Sequence, residues 1–202
     1  MAKKENVILD LDQTLIYSHP AEKKLTAEQQ AKAKKFKYYE MKDTDGKVIY
    51  ITFERPGLQP FLDYLFSTYN VSVWTAATKD YALYIINNSI LKKPGRKLSW
   101  IFFDYHCDLS QQDTKYTKSL RMLWDKKKFN IPGHTDQNTI IIDDLDEVYA
   151  AQPQNCIPIP IFKFSKAESE QDRVLSGIEN TLKEYRPILK AVDEYVPPKK
   201  TS

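Results

Sequence analysis

Apolar residues gather into three short runs along the chain: Val7-Ile8-Leu9, Val71-Ser72-Val73-Trp74 and Ile140-Ile141-Ile142. Each run stops at a polar residue, respectively Asp10, Thr75 and the pair Asp143-Asp144. Runs this short, rich in β-branched residues and nearly unbroken, predict strands buried on both faces of a parallel sheet. Between them the period changes. After Arg55-Pro56-Gly57, the residues Leu58, Phe61, Leu62, Leu65, Phe66 and Tyr69 recur on one helical face, with Pro60 in the first turn, where a missing N–H is tolerated. A second helix is predicted over about 79 to 91, with Ala82, Ile85, Ile86 and Ile90 inward. A third is predicted to start near Lys118, carrying Leu120, Leu123 and Trp124. The last, at about 168 to 192, carries Leu175, Ile178, Leu182, Tyr185 and Leu189, and Pro187 predicts a kink in it.

Two stretches break the alternation. Residues 36 to 53 read as a hairpin turning at Asp45-Gly46. Residues 92 to 116 hold Pro94-Gly95, an aromatic strand Trp100-Ile101-Phe102-Phe103 and a polar stretch, and read as a small β-rich insertion beside the sheet. The polar, alanine-rich segment 23 to 35 reads as a helix or an arm over the site, and 197 to 200 as a frayed tail. The expected fold is therefore α/β: one domain over 1 to 202, a parallel sheet flanked by helices, with the insertion.

In such sheets ligands bind beyond the carboxyl ends of the strands, so three polar strand ends point to one crevice. Asp10-Leu11-Asp12-Gln13-Thr14 places two carboxylates where the chain leaves the sheet; one can attack while the other handles protons, if their surroundings separate their pKa values. A calcium loop is excluded because Leu15 stands where that turn requires glycine. Asp143-Asp144 adds a second acidic pair, which is costly beside the first unless a cation neutralises it, and an oxygen-rich site of this kind suits Mg²⁺. Each element also has a plainer reading, since acids and threonine are common helix caps and Lys118 is one lysine among many. Their order along the chain carries the weight.

Composition changes the picture little. At 42 % hydrophobic and 12 % aromatic, the chain is not of the disordered class. No apolar run approaches the roughly 20 residues that cross a bilayer, so no membrane association is expected, and two cysteines cannot make a disulfide framework. With Met1-Ala2-Lys3-Lys4 leading into a strand rather than a signal segment, an intracellular protein, nuclear or cytoplasmic, is expected. A net charge of +3, with lysines clustered at 32 to 37, 92 to 97 and 126 to 128, suits anionic partners or a solvated face.

The ordered strings Asp10-Leu11-Asp12-Gln13-Thr14-Leu15, Arg55-Pro56-Gly57, Trp74-Thr75-Ala76-Ala77, Lys115-Tyr116-Thr117-Lys118-Ser119-Leu120 and Ile142-Asp143-Asp144 resemble the haloacid dehalogenase (HAD) superfamily. More narrowly they resemble the FCP/SCP-like phosphatases of the RNA polymerase II C-terminal domain (CTD). The segment Pro153 to Ile159 shares that resemblance, which spans about 6 to 192. Departures are Gln13 for a frequent glutamate, Ala77 for a frequent serine, and Asp144 where asparagine is often found.

The resemblance implies a HAD-like fold and an Mg²⁺-dependent serine/threonine phosphatase. Asp10 is the implied nucleophile, forming an aspartyl-phosphate, and Asp12 the acid and base. Thr14, Thr75 and Lys118 are the implied phosphate-side residues, with Thr14 also a brace of the loop. The metal falls to Asp10, Asp12 through its carbonyl, Asp143 and Asp144. Arg55 reads equally as a phosphate contact or a structural ion pair. The implied partner is a phosphorylated protein such as the CTD tail, with the aromatics from Trp100 to Tyr105 either forming a peptide groove or packing inside. A nucleic-acid or small-metabolite phosphatase and a catalytically silent binding subunit are the alternatives.

Overall fold

The computed structural model describes residues 4–193, with side chains as far as Glu184. A five-stranded parallel sheet in the order β6-β5-β1-β7-β8 forms the centre. Its strands are β1 (Asn6–Leu9), β5 (Asn70–Trp74), β6 (Ile101–Phe102), β7 (Thr139–Asp143) and β8 (Cys156–Pro158). The three apolar runs are the three inner strands, and β1 lies in the middle with every residue buried. Register sets the ends of these strands level: Leu9 pairs with Val73 on one side and with Ile142 on the other. Asp10 therefore leaves the sheet beside Asp143, and Thr75 lies just beyond the same row. Neighbouring strands are about 5 Å apart, so this alignment alone gathers the polar ends.

Between β1 and the helix α2 (Leu58–Thr68) the chain builds a second, antiparallel sheet in the order β2-β4-β3. It consists of β2 (Ile16–Pro20), β3 (Tyr38–Lys42) and β4 (Val48–Glu54), with α1 (Ala27–Ala33) crossing between β2 and β3. The expected hairpin is β3–β4, turning through Gly46 at φ 79°, a conformation that costs glycine nothing. One face of this sheet buries Phe53 against Phe162 and Phe164, with the Phe53 and Phe164 rings stacked at 3.9 Å. The opposite face meets α3 (Lys79–Ile85), which runs into a π-turn at Ile86–Ile90. Ala82, Ile85, Ile86 and Ile90 point into the core there, as expected.

The β-rich element is thus this sheet at 16 to 54. The segment 92 to 116, expected to supply it, instead gives the edge strand β6 and the helix α4 (Asp104–Thr114). Its aromatics mostly pack inward. Phe102 lies 5.3 Å from the Trp74 ring and 4.7 Å from Phe129, and Trp100 lies 6.5 Å from Trp74; Tyr105 alone of the group is well exposed. Of the two readings of these aromatics, internal packing holds for Phe102 and Phe103, while Trp100 is half-buried and Tyr105 remains at the surface.

The helix expected near Lys118 is shorter and later, α5 (Arg121–Trp124). Residues before it are held as a bend, with the Ser119 N–H donating to Ser110 Oγ and the Leu120 N–H to Gln152 Oε1. A short helix α6 (Asp146–Ala151) follows β7. The last helix, α7 (Val174–Asp193), begins later than the periodicity suggested because Asp172 caps it, accepting from the Val174 N–H at 2.7 Å. The kink at Pro187, the inward contacts of Tyr185 and Leu189, and the tail at 197 to 200 lie outside the residues described with side chains. Among the described residues no helix is long and apolar enough to cross a membrane.

Candidate active site

β1 delivers Asp10 to the carboxyl edge of the sheet, and the chain then folds back tightly on itself. The Leu15 and Ile16 N–H groups both donate to Leu11 O, and Gln13 sits between them in the left-handed region at φ 63°. A non-glycine residue held there costs roughly 1–2 kcal/mol, and the Phe162 N–H donating to Gln13 O helps to hold it. This turn carries the Asp12 side chain away from the sheet axis and towards α3.

β7 delivers Asp143 and Asp144. Oxygens of Asp10, Asp143 and Asp144 all lie within 4.8 Å of one another, which makes these three carboxylates, among the described residues, a group able to hold a metal ion. The Asp12 carboxylate is outside that group; Tyr81 Oη donates to its Oδ1 at 2.5 Å. Thr14, grouped by resemblance with the phosphate-side residues, is fully buried and donates to Asp144 Oδ1 at 3.1 Å. It braces the Asp144 carboxylate and is absent from the lining of the cavity at this edge of the sheet.

Lys118 is the positive centre. It is 1 % exposed and its Nζ donates to Asp10 Oδ1 at 2.6 Å and to Asp143 Oδ2 at 2.7 Å. Two buried carboxylates side by side are unfavourable, and the ammonium between them compensates both. Burial works against the charge on Lys118, yet Asp10 and Asp143 outweigh it and raise its pKa above the ordinary lysine value. Asp143, also held by the Leu145 N–H at 3.0 Å, is pushed up by burial and by Asp10, with Lys118 pulling the other way. Asp144 is likewise raised by burial and then by Asp10. Asp12 is pushed up to about 6, chiefly by burial, with Tyr81 opposing. A carboxyl group in that range can both give and take a proton near neutrality.

Thr75 follows β5, buried, with its Oγ1 accepting from the Ala77 N–H at 3.1 Å, a turn that opens the approach to α3. Asp10, Asp12, Gln13, Thr75, Ala76, Ala77, Lys118, Asp144 and Leu145 line one cavity of about 260 Å³. Sequence-predicted residues from four separate parts of the chain therefore share a single space, with Asp143 behind Lys118 and Thr14 behind Asp144. A larger cleft of about 530 Å³ lies between α4, α5 and α6, but none of the three clustered carboxylates lines it.

Arg55 takes the structural of its two readings. It is buried, pairs with Asp172 at 3.0 Å, and donates to the carbonyls of Thr14 and Pro160 at 3.0 and 2.9 Å. Tyr81 was not singled out from the sequence. A tyrosine so far along the chain from Asp12 leaves no local signal, although its place on the helix after the Thr75 turn puts it at the same edge of the sheet.

Comparison with known proteins gives a consistent result. A family model described as NLI interacting factor-like phosphatase matches residues 5–193. The chain is 41 % identical over 183 residues to the CTD phosphatase-like protein 355R of Invertebrate iridescent virus 6, covering 88 % of this chain and 97 % of that one. It is 34 % identical over 192 residues to its namesake from Invertebrate iridescent virus 3, covering 91 % and 98 %. Among solved structures, that of Fcp1, an RNA polymerase II CTD phosphatase, aligns with a TM-score of 0.54 at 20 % identity, covering 96 % of this chain and 55 % of that one. At that identity the likeness speaks for the fold.

Proposed function

Because the chain belongs to the NLI interacting factor-like phosphatase family of the HAD superfamily and is a phosphatase, we propose that it hydrolyses phosphoserine or phosphothreonine in proteins through a phosphorylated Asp10. The substrate we favour is a CTD-like tail. The observation that carries this reading is the position of Asp10. It stands at the end of the central strand, with Oδ1 held by Lys118, and it opens on a cavity that also presents Asp12, Thr75 and Lys118.

In the first displacement the Asp10 carboxylate forms a bond to phosphorus as the ester P–O bond breaks, and Asp12 gives its proton to the departing oxygen. In the second, Asp12 takes a proton from water, whose oxygen attacks phosphorus, frees inorganic phosphate and restores the Asp10 carboxylate. Lys118 and the Thr75 turn face the phosphoryl oxygens as charge builds on them. The residues fit a divalent cation, since three carboxylates converge with oxygen donors only. Asp10, Asp144 and the Asp12 carbonyl would hold Mg²⁺, with Asp143 completing the surroundings. Its charge would let an anionic nucleophile approach an anionic phosphate.

The test is release of phosphate from p-nitrophenyl phosphate and from a phosphoserine peptide, with and without Mg²⁺, by the wild type and by Asp10→Asn. Loss of both activities in the variant and after chelation is expected; full activity in Asp10→Asn would refute the nucleophile. A 3′-phosphorylated oligonucleotide hydrolysed in preference to the peptide would move the substrate to nucleic acid.

A further inference from the structure

The small antiparallel sheet turns a polar face to α3. In its register Ser18 is opposite Thr52, and their hydroxyls lie 2.7 Å apart. Tyr50, two residues from Thr52, shares that face, and its ring meets the Tyr81 ring edge-on at 5.2 Å and 70°. Tyr81 Oη is 2.5 Å from Ser18 Oγ and 2.5 Å from Asp12 Oδ1. A phenol has one hydrogen. It can go to Asp12 or to Ser18 but not to both; the carboxylate is the stronger acceptor, and Ser18 has Thr52 as its other hydroxyl partner. The phenol hydrogen is thus committed to one oxygen of Asp12.

We propose that Tyr81 is a positioning residue for Asp12: by occupying Oδ1 it fixes the rotation of the carboxyl group and leaves Oδ2 as the oxygen that exchanges a proton with the leaving group. This rests on the assignment of Asp12 as the acid of the phosphatase reaction. A carboxylic acid carries one proton. With Oδ1 already accepting from Tyr81, that proton resides on Oδ2. As the ester P–O bond breaks it passes from Oδ2 to the departing oxygen, and the new carboxylate charge is met on Oδ1 by the Tyr81 hydrogen. The proton lost by the attacking water later returns to Oδ2. Neither Tyr81 nor Ser18 lines the cavity, so both act through Asp12 and not on the substrate.

A leaving group that needs no proton separates this role from a structural one. Nitrophenolate departs unaided, whereas the serine alkoxide must be protonated. The experiment measures kcat/KM, which reports the first displacement, for wild type and Tyr81→Phe on both substrates. Tyr81→Phe keeps the ring against Tyr50 and removes only the hydroxyl. Its expected effect is a loss of about 10-fold or more on a phosphoserine peptide and under about 3-fold on p-nitrophenyl phosphate. Equal losses on both substrates, or none on either, would overturn the proposal. If Tyr81→Phe does not fold, Ser18→Ala carries the same comparison, because it removes the oxygen that lies against the Tyr81 hydroxyl on its other side; a loss unequal in the same direction supports the positioning role, and an equal one overturns it. A failure of the phosphatase reading itself looks different, since the wild-type protein would then release phosphate from neither substrate.

Discussion

Arg55 donates through Nη1 to the main-chain carbonyl of Thr14 at 3.0 Å, so the loop that follows Asp10 is held by a side chain from the end of β4, where Glu54 pairs with Ile16. The same guanidinium reaches Pro160 O and the Asp172 carboxylate that caps α7, and its carbon lies 5.5 Å from the centre of the Phe162 ring. One buried cation thus fastens three separated segments. The planar fork of arginine supplies these several donors at once, which an ammonium cannot do.

Arg55→Ala should therefore cost about 3–5 kcal/mol of stability, the usual penalty for leaving a buried charge without its partner. Arg55→Lys should cost less, about 1–3 kcal/mol, through unmade hydrogen bonds. Urea unfolding checks both: the midpoint should fall while the slope stays constant.

Lys118 makes a different prediction because its two partners belong to the acidic cluster to which the proposed reaction assigns the chemistry. Lys118→Ala should lower kcat by about 100- to 1,000-fold, the scale for loss of a charge-stabilising donor. It should also leave Asp10 and Asp143 repelling one another. Added Mg²⁺ should then raise the melting temperature of Lys118→Ala more than that of the wild type, since a bound cation stabilises the state that binds it. Differential scanning fluorimetry across a Mg²⁺ series gives the answer.

Thr14 offers a test of the metal assignment proposed for Asp144. Its hydroxyl fixes Asp144, so Thr14→Val should raise the Mg²⁺ concentration needed for half-maximal activity by about 10- to 100-fold, as loss of an outer-shell partner does. At saturating Mg²⁺ the KM for the phosphorylated substrate should be unchanged. A raised KM with an unaltered Mg²⁺ requirement would return Thr14 to direct phosphate binding.

His106 supplies a pH dependence remote from the acidic cluster. Its ring stacks on Phe102 at 4.1 Å, and Nδ1 accepts from the Phe103 N–H at 3.0 Å, a bond that needs the nitrogen bare. Burial holds its pKa below the ordinary histidine value of 6.5, with Asp104 working the other way. The unfolded chain therefore takes up a proton near pH 6.5 that the native state resists, and stability falls as the pH drops below that point until the native ring protonates as well. His106→Asn keeps an acceptor without titrating. Between pH 7.5 and 5.5, a range of about two units around the ordinary histidine value, the melting temperature of the wild type should fall more than that of the variant.

Much of this was legible in the residues because strong local signals coincide with strong physical constraints. Val7-Ile8-Leu9 and Ile140-Ile141-Ile142 had to be strands buried on both faces, and a parallel sheet had to bring Asp10 and Asp143 to the same edge. Leu58, Phe61, Leu62 and Leu65 likewise face the core of α2. What escaped was set by tertiary contacts. The strand at Ile16–Pro20 carries no apolar run, and only its pairing with β4 makes it a strand. The two-residue β6 and the helix α4 after it could not be told from an aromatic insertion by pattern alone. Lys118 stood out from the other lysines only through the resemblance, because the two carboxylates that surround it come from distant strands, and nothing near Asp12 in the chain announced that its side chain would meet Tyr81.

The placing of β1 in the middle of the sheet has a consequence for how the protein is made. This strand leaves the ribosome first, yet the partners on its two edges are β5 and, much later, β7 at Thr139–Asp143. Until both have been synthesised, its backbone N–H and C=O groups stay open on at least one side, a template on which another chain can pair. Such long-range closure is slow, and a nascent chain halted before β7 carries Asp10 at the end of an unprotected strand.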